Sequence, residues 1–472
     1  MQTHFNSNSN SNSNSASPHA HRLRNGLPSR ASRLADQFLS VRAHTESLAR
    51  PLTPEDCQLQ SMPDASPTKW HLAHLTWFFE TFVLEKYEAD FEPFDVQFRV
   101  LFNSYYNGIG HKHPRAERGL ISRPALADVM AYRAQVDQRV LGILSDPRIA
   151  AEDDSHGLHE LHQLVMLGLQ HEQQHQELIL TDIKHALSCN PAKPAYARRW
   201  PLSRISPQPL RWHTYAGGLV QHGADTAQLN ADTTQHGADT AHQESFVFDN
   251  ETPRHGVYVA PFELASRLVT NGDYAAFMAD NGYQRPELWL AMGWDWVQAG
   301  KASMPLYWQR NSTGYQNFTL QGMVAVDPNT PACHLSYFEA DAFARWSKAR
   351  LPTEFEWELA ASALHRPAPH GNFLEAAVFH PMAVQQAEAA DPSQLFGDVW
   401  EWTQSSYNSY PGYQPWAGLV GEYNGKFMCN QFVLRGGSCA TPQSHIRATY
   451  RNFFPPDACW QFSGLRLARD VG

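Results

Sequence analysis

The sequence lacks an excess of positive charge. Its 472 residues include 37 Lys and Arg against 47 Asp and Glu, which gives a formal net charge of −10. No polybasic run interrupts this balance. Because proteins bind nucleic acid by neutralising phosphates with clustered basic side chains, the composition argues against a nucleic-acid partner.

Long apolar runs are also missing. No uninterrupted apolar stretch approaches the length of about 18 residues that a membrane-spanning helix requires, so we expect no membrane partner. The first residues contain no apolar segment of the kind found in secretory signals, which argues against secretion. The six cysteines are scattered, without a C-x-x-C pair. In a chain of this size they predict reduced thiols and a cytoplasmic protein.

What the sequence does contain is a pair of histidines at helical spacing, in His171-Glu-Gln-Gln-His175. The segment 160–187 has no proline, and its apolar residues recur every three or four positions, which predicts a helix. Two histidines four residues apart lie on one face of a helix and present their ring nitrogens to one point. This arrangement is typical of metal ligands.

A third histidine, His74, occurs in a second predicted helix. Ser66-Pro67 is a typical helix start, and Trp70 and Phe78 lie one turn to either side of His74. Burying an imidazole without a partner costs free energy, and metal binding removes that cost. The alternative is a core histidine hydrogen-bonded to its neighbours. We predict that His74, together with the histidine pair, binds a metal ion.

The ligand set alone leaves the metal open. Three neutral imidazoles suit a six-coordinate Fe(II) that reacts with O2, or a tetrahedral Zn(II) with one water. The second segment also fits the H-E-x-x-H signature of zinc proteases, with Glu172 as the base. The extended form of that signature is absent, since Leu178 and Thr181 stand where glycine and a third histidine are needed. A protease is therefore the weaker alternative.

Patterning divides the chain into a tail and two domains. Residues 1–29 include an Asn-Ser alternation and predict a disordered tail. Residues 30–195 predict a helical bundle, in which 99–118 is expected to be an irregular loop rich in Asn, Gly and Pro. The helices that we expect in the bundle are Arg30–Arg50, Ser66–Tyr87, Pro124–Ser145 and Glu160–Leu187.

Residues 205–472 predict a second domain of α+β type with short strands and many loops. Two helical patches are expected, Thr270–Ala279 and Ser336–Arg350. The heptapeptide Gln221-His-Gly-Ala-Asp-Thr-Ala recurs from Gln235, and two copies are too few for a repeat fold. We interpret 221–241 as a duplicated loop insertion, with its histidines at a solvated loop tip rather than on a metal.

Two further sets of residues are candidates for the site. Tyr105 and Tyr106 lie in the loop between bundle helices, where a phenol near a metal can donate a proton or an electron; ordinary aromatic packing is the alternative. Arg115 and Arg118 can each hold a substrate carboxylate by two hydrogen bonds; otherwise they are surface charges.

These residues give the chain a family resemblance from about Arg30 onward. Trp70-x-Leu-Ala-His74 and His171-Glu-Gln-Gln-His175 resemble the DinB-like bundle of the ergothioneine-pathway sulfoxide synthases, or hercynine oxygenases. The second half resembles their formylglycine-generating-enzyme-like domain, which has a C-type-lectin-like fold. The runs that carry this second resemblance are Ser336-Tyr-Phe-Glu-Ala-Asp-Ala, Arg350-Leu-Pro-Thr-Glu-Phe-Glu-Trp-Glu, Gly397-Asp-Val-Trp-Glu-Trp-Thr, Arg435-Gly-Gly-Ser and Phe462-Ser-Gly-Leu-Arg-Leu.

The resemblance implies an enzyme that uses Fe(II) and O2 to join a thiol to the imidazole C2 of hercynine, the trimethylbetaine of histidine, and to form a sulfoxide. His74, His171 and His175 would be the iron ligands. Tyr105 and Tyr106 resemble the active-site tyrosines of the subgroup that uses cysteine directly. The cysteines near the Arg435 run, Cys439 included, are expected to pack rather than to bind copper as in formylglycine-generating enzymes.

The resemblance also implies substrate contacts. Gln174 would contact the betaine, helped by Asn452, and Phe453 and Phe454 would form the pocket wall. Members that use γ-glutamylcysteine carry an acidic residue and an arginine where this chain has Phe454 and Ala458. Apolar side chains cannot hold a glutamyl group, so we expect free cysteine as the thiol and hercynylcysteine sulfoxide as the product.

Three alternatives stay open. The thiol donor can be γ-glutamylcysteine. The enzyme can instead be an ovothiol-type synthase that joins cysteine to C5 of unmodified histidine, although those proteins often carry a methyltransferase domain and no glycine-rich nucleotide loop is evident here. Finally, the chain can be a non-enzymatic binding protein with a structural metal.

Overall fold

The fold is that of a computed structural model. It describes residues 30–146, 156–197, 205, 208–225, 246–365, 369–384 and 390–471. The expected tail, 1–29, and most of the duplicated segment, from 226 to 241, lie outside these residues. Within them, no helix combines the length and the apolar character needed to cross a bilayer.

The described residues of the first domain form four packed helices, α1 Arg30–Ala49, α2 Thr68–Phe79, α3 Leu126–Leu144 and α4 His156–Cys189. Helix α2 has neighbours on several sides, and all twelve of its residues are buried. It packs against α3 and α4, and α1 packs against α4. Helix α2 continues through a π-helical turn, Glu80–Leu84, into the short helix Glu85–Tyr87.

Two local expectations for the bundle were wrong. The residue that caps α2 is Pro67, without a side-chain cap; the hydroxyl of Ser66 instead accepts a hydrogen bond from Arg118. The segment 99–118 is not wholly irregular, because short helical turns satisfy its backbone locally. These turns are Phe98–Leu101, Asn107–Ile109 and Arg115–Leu120.

A buried charge network ties three helices together. Glu172 on α4 has no exposed side-chain surface and pairs with Arg42 of α1 at 2.9 Å and with Arg133 of α3 at 2.5 Å. Burial alone would raise the pKa of Glu172, but the two guanidinium charges outweigh it and lower the pKa to about 2. The carboxylate that would be the base of a zinc protease is therefore a structural anion.

The described residues of the second domain form short strands in four small sheets. Strands β1, β4 and β12 pair antiparallel, as do β5, β6 and β7. In the sheet ordered β10-β9-β8-β11, only the β8–β11 pair is parallel. The strands are β1 Trp212–Tyr215, β2 Gly218–His222, β3 His255–Val259, β4 Phe262–Ala265, β5 Trp308–Asn311, β6 Gly314–Thr319, β7 Gly322–Ala325, β8 Trp400–Ser406, β9 Phe432–Arg435, β10 Asn452–Phe454, β11 Ser463–Gly464 and β12 Ala468–Asp470.

In the described part of this domain, four helices are long enough to label. They are α5 Asn271–Ala279, α6 Ala291–Gln298, α7 Tyr337–Trp346 and α8 Glu354–Ser362. Helices α6 and α8 were not expected. A signal for α8 was present, since Thr353 and Glu356 form a capping box at its start.

The duplicated segment does not begin as a loop. Gln221 and His222 end strand β2 and pair with Gly256 and His255 of β3. The imidazole of His222 is buried and lies 2.7 Å from the hydroxyl of Tyr410. The solvated-tip interpretation was wrong for this histidine, because a strand pairing and a buried hydrogen bond hold it inside the domain.

Candidate metal centre

Helices α2 and α4 bring His74, His171 and His175 together in the interior. Each offers one ligand nitrogen, and these nitrogens all lie within 4.8 Å of one another. The ring centroid of His74 lies 5.1 Å from that of His171 and 5.0 Å from that of His175. All three side chains are buried. In the structure the three rings thus converge on one point, as the spacing of the histidines predicted.

Hydrogen bonding leaves lone pairs free in the cluster. The Nδ1 of His74 lies 2.6 Å from the carbonyl oxygen of Phe102, which can only accept, so Nδ1 carries the hydrogen and Nε2 is bare. Among the described residues, Nε2 of His74 and both ring nitrogens of His171 lack a hydrogen-bond partner although they are buried. Buried bare nitrogens are costly without a ligand, so this donor set fits a metal ion.

Burial keeps these imidazoles neutral. It lowers the pKa of His171 to about 4. It also lowers the pKa of His74 and of His175 well below the usual range, and the neighbouring imidazoles add to the effect. A neutral imidazole has the lone pair that a metal needs. The cluster is therefore ready to bind a cation at neutral pH.

Arg118 is buried beside the cluster, and no counter-ion for it is found among the described residues. Its guanidinium carbon lies 3.3 Å from the ring centroid of Trp70, and Trp70 stacks on His74 at 4.6 Å. Its two terminal nitrogens donate to the hydroxyls of Ser66 and Ser104, each at 2.9 Å, and Nε has no partner. Among the described residues no carboxylate forms an ion pair with it. Burial accordingly lowers its pKa to about 9.

The two tyrosines of the loop have different surroundings. Tyr106 is buried among Trp77 and Phe82, at centroid distances of 5.7 and 5.0 Å, and burial raises its pKa. Tyr105 is half-buried and stands edge-on to Phe427 of the second domain at 5.0 Å. Tyr106 is thus a core aromatic of the bundle, and Tyr105 lies where the two domains meet.

Gln174 connects the bundle to the second domain. Its amide nitrogen donates to the hydroxyl of Tyr450 at 2.7 Å, and its amide oxygen accepts from the hydroxyl of Tyr423. The ring of Tyr423 lies 5.6 Å from that of His171. Gln174 is therefore adjacent to the cluster, and a tyrosine of the second domain reaches the same place.

The remaining substrate candidates are not all brought together. Asn452 accepts from the backbone of Phe453 at 2.9 Å, and Phe453 stacks on Tyr407 at 4.0 Å. Phe453 also lies 5.8 Å from Phe427, the ring that contacts Tyr105.

Two of these candidates lie apart from the others. Successive residues of a strand point to opposite faces, so Phe454 lies on the other side of β10 from Phe453, against Trp460 at 6.2 Å. Arg115 is exposed and donates to the carbonyl of Asp64. Arg118, which is buried beside the cluster, is the better placed of the two arginines to hold a carboxylate, and the role expected for Arg115 stays a prediction.

Several residues around the histidines were not predicted as part of the site from the sequence. Tyr423 and Tyr450 lie in irregular segments without periodicity, so no pattern identified them. His71 and Asp182 did leave a signal. His71 belongs to the same Trp70-His-Leu-Ala-His74 run, and Asp182 lies two helical turns beyond His175 on the same face of α4. They contact each other at 3.1 Å.

Fold and site together define a class of protein: a helical bundle with a buried three-histidine centre, covered by a strand-rich second domain. Residues 37–179 match the DinB superfamily model, and residues 216–471 match the sulfatase-modifying factor enzyme 1-like domain. These matches confirm the predicted fold class.

Curated relatives cover nearly the whole chain. The chain is 30% identical to a hercynine oxygenase of Mycolicibacterium thermoresistibile, over 94% of this chain and 96% of the relative. It is also 30% identical to a hercynine oxygenase of Mycolicibacterium smegmatis, over 93% and 99%. A formylglycine-generating enzyme of Streptomyces coelicolor is 29% identical over 49% of this chain and 85% of its own. The chain therefore belongs to the hercynine oxygenase family and is an enzyme of the sulfoxide synthase type.

Proposed function

We propose that this enzyme binds Fe(II) at His74, His171 and His175 and uses O2 to join cysteine to the imidazole C2 of hercynine, giving hercynylcysteine sulfoxide. The reaction balances with one water: the C–H and S–H hydrogens leave with one oxygen atom of O2, and the sulfur keeps the other. The observation that carries the proposal is the buried cluster of imidazole nitrogens without partners.

The ligand set favours iron over a closed zinc site. Three histidines are the complete cluster of potential ligands among the described residues, which leaves positions open on a six-coordinate ion for two substrates and O2. Bound Fe(II) would supply the redox chemistry and lower the pKa of a thiol that binds to it. Glu172, held by two arginines, is not available as the base of a hydrolase.

Arg118 supports a small zwitterionic thiol as the substrate. A buried guanidinium with no counter-ion among the described residues, next to the histidine cluster, is suited to a carboxylate. The carboxylate of cysteine, held there, would orient the sulfur toward the metal. Gln174 is the candidate for the hercynine betaine, because its amide lies beside the cluster.

The positions that would recognise a γ-glutamyl group are apolar here. Ala458 is buried, and Phe454 packs against Trp460. Neither can pair with an ammonium or a carboxylate. The family resemblance assigns γ-glutamyl recognition to these two positions, so their apolar side chains favour free cysteine over γ-glutamylcysteine as the thiol donor.

Tyrosines supply the proton or electron that this chemistry needs close to the metal. We expect Tyr105 to have this role with Tyr106 behind it, and Tyr423, 5.6 Å from His171, is a third phenol at the same place. Tyr105→Phe is expected to reduce sulfoxide formation and to divert cysteine to its own oxidation. Product ratios measured by mass spectrometry check this, and ratios equal to those of the wild type would contradict it.

The test of the function is a product assay. The protein is reconstituted with Fe(II) without oxygen, and O2 is then added with hercynine and either cysteine or γ-glutamylcysteine. A parallel sample contains histidine in place of hercynine. We expect hercynylcysteine sulfoxide from cysteine and hercynine. Product from γ-glutamylcysteine alone, or a C5-linked product from histidine, would overturn the proposed substrates.

The free thiols fit the expected cytoplasmic location. All six cysteines are unpaired, and Cys439 is buried in the core of the second domain. Structural disulfides are rare in reducing compartments, so the free thiols support a cytosolic location.

A further inference from the structure

A chain of buried hydrogen bonds leads away from one of the three histidines. The Nδ1 of His175 lies 2.8 Å from the Nδ1 of His71, and the Nε2 of His71 lies 3.1 Å from Oδ2 of Asp182. The backbone N–H of Ser66 donates to the same carboxylate oxygen at 2.8 Å. All of these groups are buried.

The order of donors in this chain follows from its outer end. A carboxylate only accepts, so the hydrogen between His71 and Asp182 belongs to Nε2 of His71. Burial disfavours the doubly protonated ring, and a neutral His71 with its hydrogen on Nε2 has a bare Nδ1. The short contact between the two Nδ1 atoms then requires that His175 donates.

We propose that His71 and Asp182 are positioning residues that fix the tautomer of His175, so that its Nε2 presents a lone pair to the metal. The inference rests on the proposed function only in assuming that the cluster binds a metal ion. In the opposite tautomer, the hydrogen of His175 would occupy Nε2, and that nitrogen could not bind a cation.

A second candidate ligand, His74, has its tautomer fixed in a comparable way. The carbonyl of Phe102 holds the hydrogen of His74 on Nδ1 at 2.6 Å. The ring of His175, on α4, is hydrogen-bonded to the imidazole of His71, which takes the place that the carbonyl has at His74. An imidazole has a definite tautomer only if something fixes it, and Asp182 does this from the far side.

The test compares pairs of variants at the two positions. His71→Phe and Asp182→Leu remove the acceptors at nearly constant volume. His71→Asn keeps an acceptor near the position of Nδ1, and Asp182→Asn keeps one oxygen for the hydrogen bonds from His71 and Ser66, which both end on Oδ2. His185→Gln is the matched control, because His185 lies on the same helix and contacts Ser61 rather than a ligand.

The measured quantity is the affinity of the metal-free protein for Co(II), by competition with a chelator, together with the Co(II) absorption spectrum. Partners of metal-bound histidines contribute about 10- to 100-fold in affinity. We expect losses of that size, with an altered spectrum, for His71→Phe and Asp182→Leu. The two Asn variants should bind more tightly than these, and His185→Gln should equal the wild type.

The inference would be overturned if His71→Phe and Asp182→Leu bound Co(II) with affinities within about twofold of the wild type and with an unchanged absorption spectrum. If either variant does not fold, ¹⁵N NMR of histidine-labelled wild-type apoprotein decides, with His175 assigned by its loss in His175→Ala. Hydrogen on Nδ1 of His175 supports the inference, and hydrogen on Nε2 overturns it.

The two proposals fail separately. A wild-type protein that binds Co(II) with the expected dependence on the two residues but forms no sulfoxide would refute the proposed function alone. Sulfoxide formation by the wild type, together with unchanged Co(II) affinities in the variants, would refute only the role of His71 and Asp182 in fixing the tautomer of His175.

Discussion

At the scale of single residues, the site contains two kinds of buried polar group. The histidines and Gln174 have partners or bare nitrogens that suit a ligand. Arg118 is a full charge without a counter-ion among the described residues, and burying such a charge costs free energy in the free enzyme. A group of this kind is explained best by a substrate that brings the missing charge.

This predicts a specific effect of Arg118→Met. A hydrogen bond to a charged group contributes about 1.5–3 kcal/mol, so the KM for cysteine should rise about 10- to 150-fold. The KM for hercynine should change little. Steady-state kinetics with each substrate varied in turn measure both values. Arg115→Met, at the exposed neighbour, is the control and should behave as the wild type.

Stability separates this role from a structural one. If Arg118 is retained for the substrate, its removal leaves the free energy of unfolding of the metal-free protein unchanged or higher. Urea denaturation measures this. A loss of more than about 1 kcal/mol would show that the guanidinium holds the loop to the bundle.

At the scale of elements, α4 has a different task on each face. One face carries His171 and His175 toward the centre, and another carries Glu172 into the pairs with Arg42 and Arg133. The sequence showed the first face through its spacing. It could not show the second, because the partners of Glu172 are 130 and 39 residues away along the chain.

We expect Glu172→Gln to destabilise the bundle by about 3–5 kcal/mol, since breaking a buried pair leaves charges without compensation. Glu160→Gln is a matched control on the same helix. Glu160 is exposed and pairs with Lys86 on the surface, where such a pair contributes only about 0–1 kcal/mol. Denaturation of both variants at pH 7 tests this. Equal stabilities would contradict the structural role of Glu172.

The same pair predicts an acid dependence. The pKa of Glu172 is lowered in the folded state from 4.5 to about 2, so the stabilisation is fully present above pH 4.5 and is lost as the pH falls toward 2. The stability difference between the wild type and Glu172→Gln should therefore shrink across this window. A difference that stays constant would show that the effect is not electrostatic.

At the scale of the whole molecule, the two domains share buried polar contacts. Glu177 of α4 accepts from the indole of Trp400 at 2.8 Å, from Ser438 at 2.6 Å and from Thr441 at 2.8 Å, all three in the second domain. On the same helix, Gln170 contacts His445 at 2.7 Å. The second domain is thus fixed over the metal centre by the helix that carries two of the ligands.

We expect Glu177→Leu to loosen this attachment, because three buried donors lose their acceptor at about 1–3 kcal/mol each. Glu177→Gln keeps an oxygen for Trp400 and Ser438 and is the control. Calorimetry should show one transition for the wild type and the Gln variant, and two for the Leu variant. A single, unshifted transition for Leu would contradict the role of this contact.

The sequence predicted the four bundle helices and the three histidines because both depend on local periodicity. It predicted the α+β class of the second domain from patterning, but its particular fold only through resemblance, since short strands such as β11 carry little pattern. Contacts between distant segments of the chain decide the positions of Tyr423 and of the partners of Glu177, and they decide the burial of Arg118. The error at His222 has the same origin, because strand pairing, not composition, decides whether a residue is exposed.

The most direct test of the account is the iron stoichiometry of the anaerobically reconstituted protein, read by electron paramagnetic resonance of its nitric oxide adduct. We predict one Fe(II) per chain, with the signal abolished by His171→Ala and retained in His185→Gln. Wild-type protein that binds no iron, or a signal that His171→Ala leaves unchanged, would contradict the assignment of the three histidines as one metal centre.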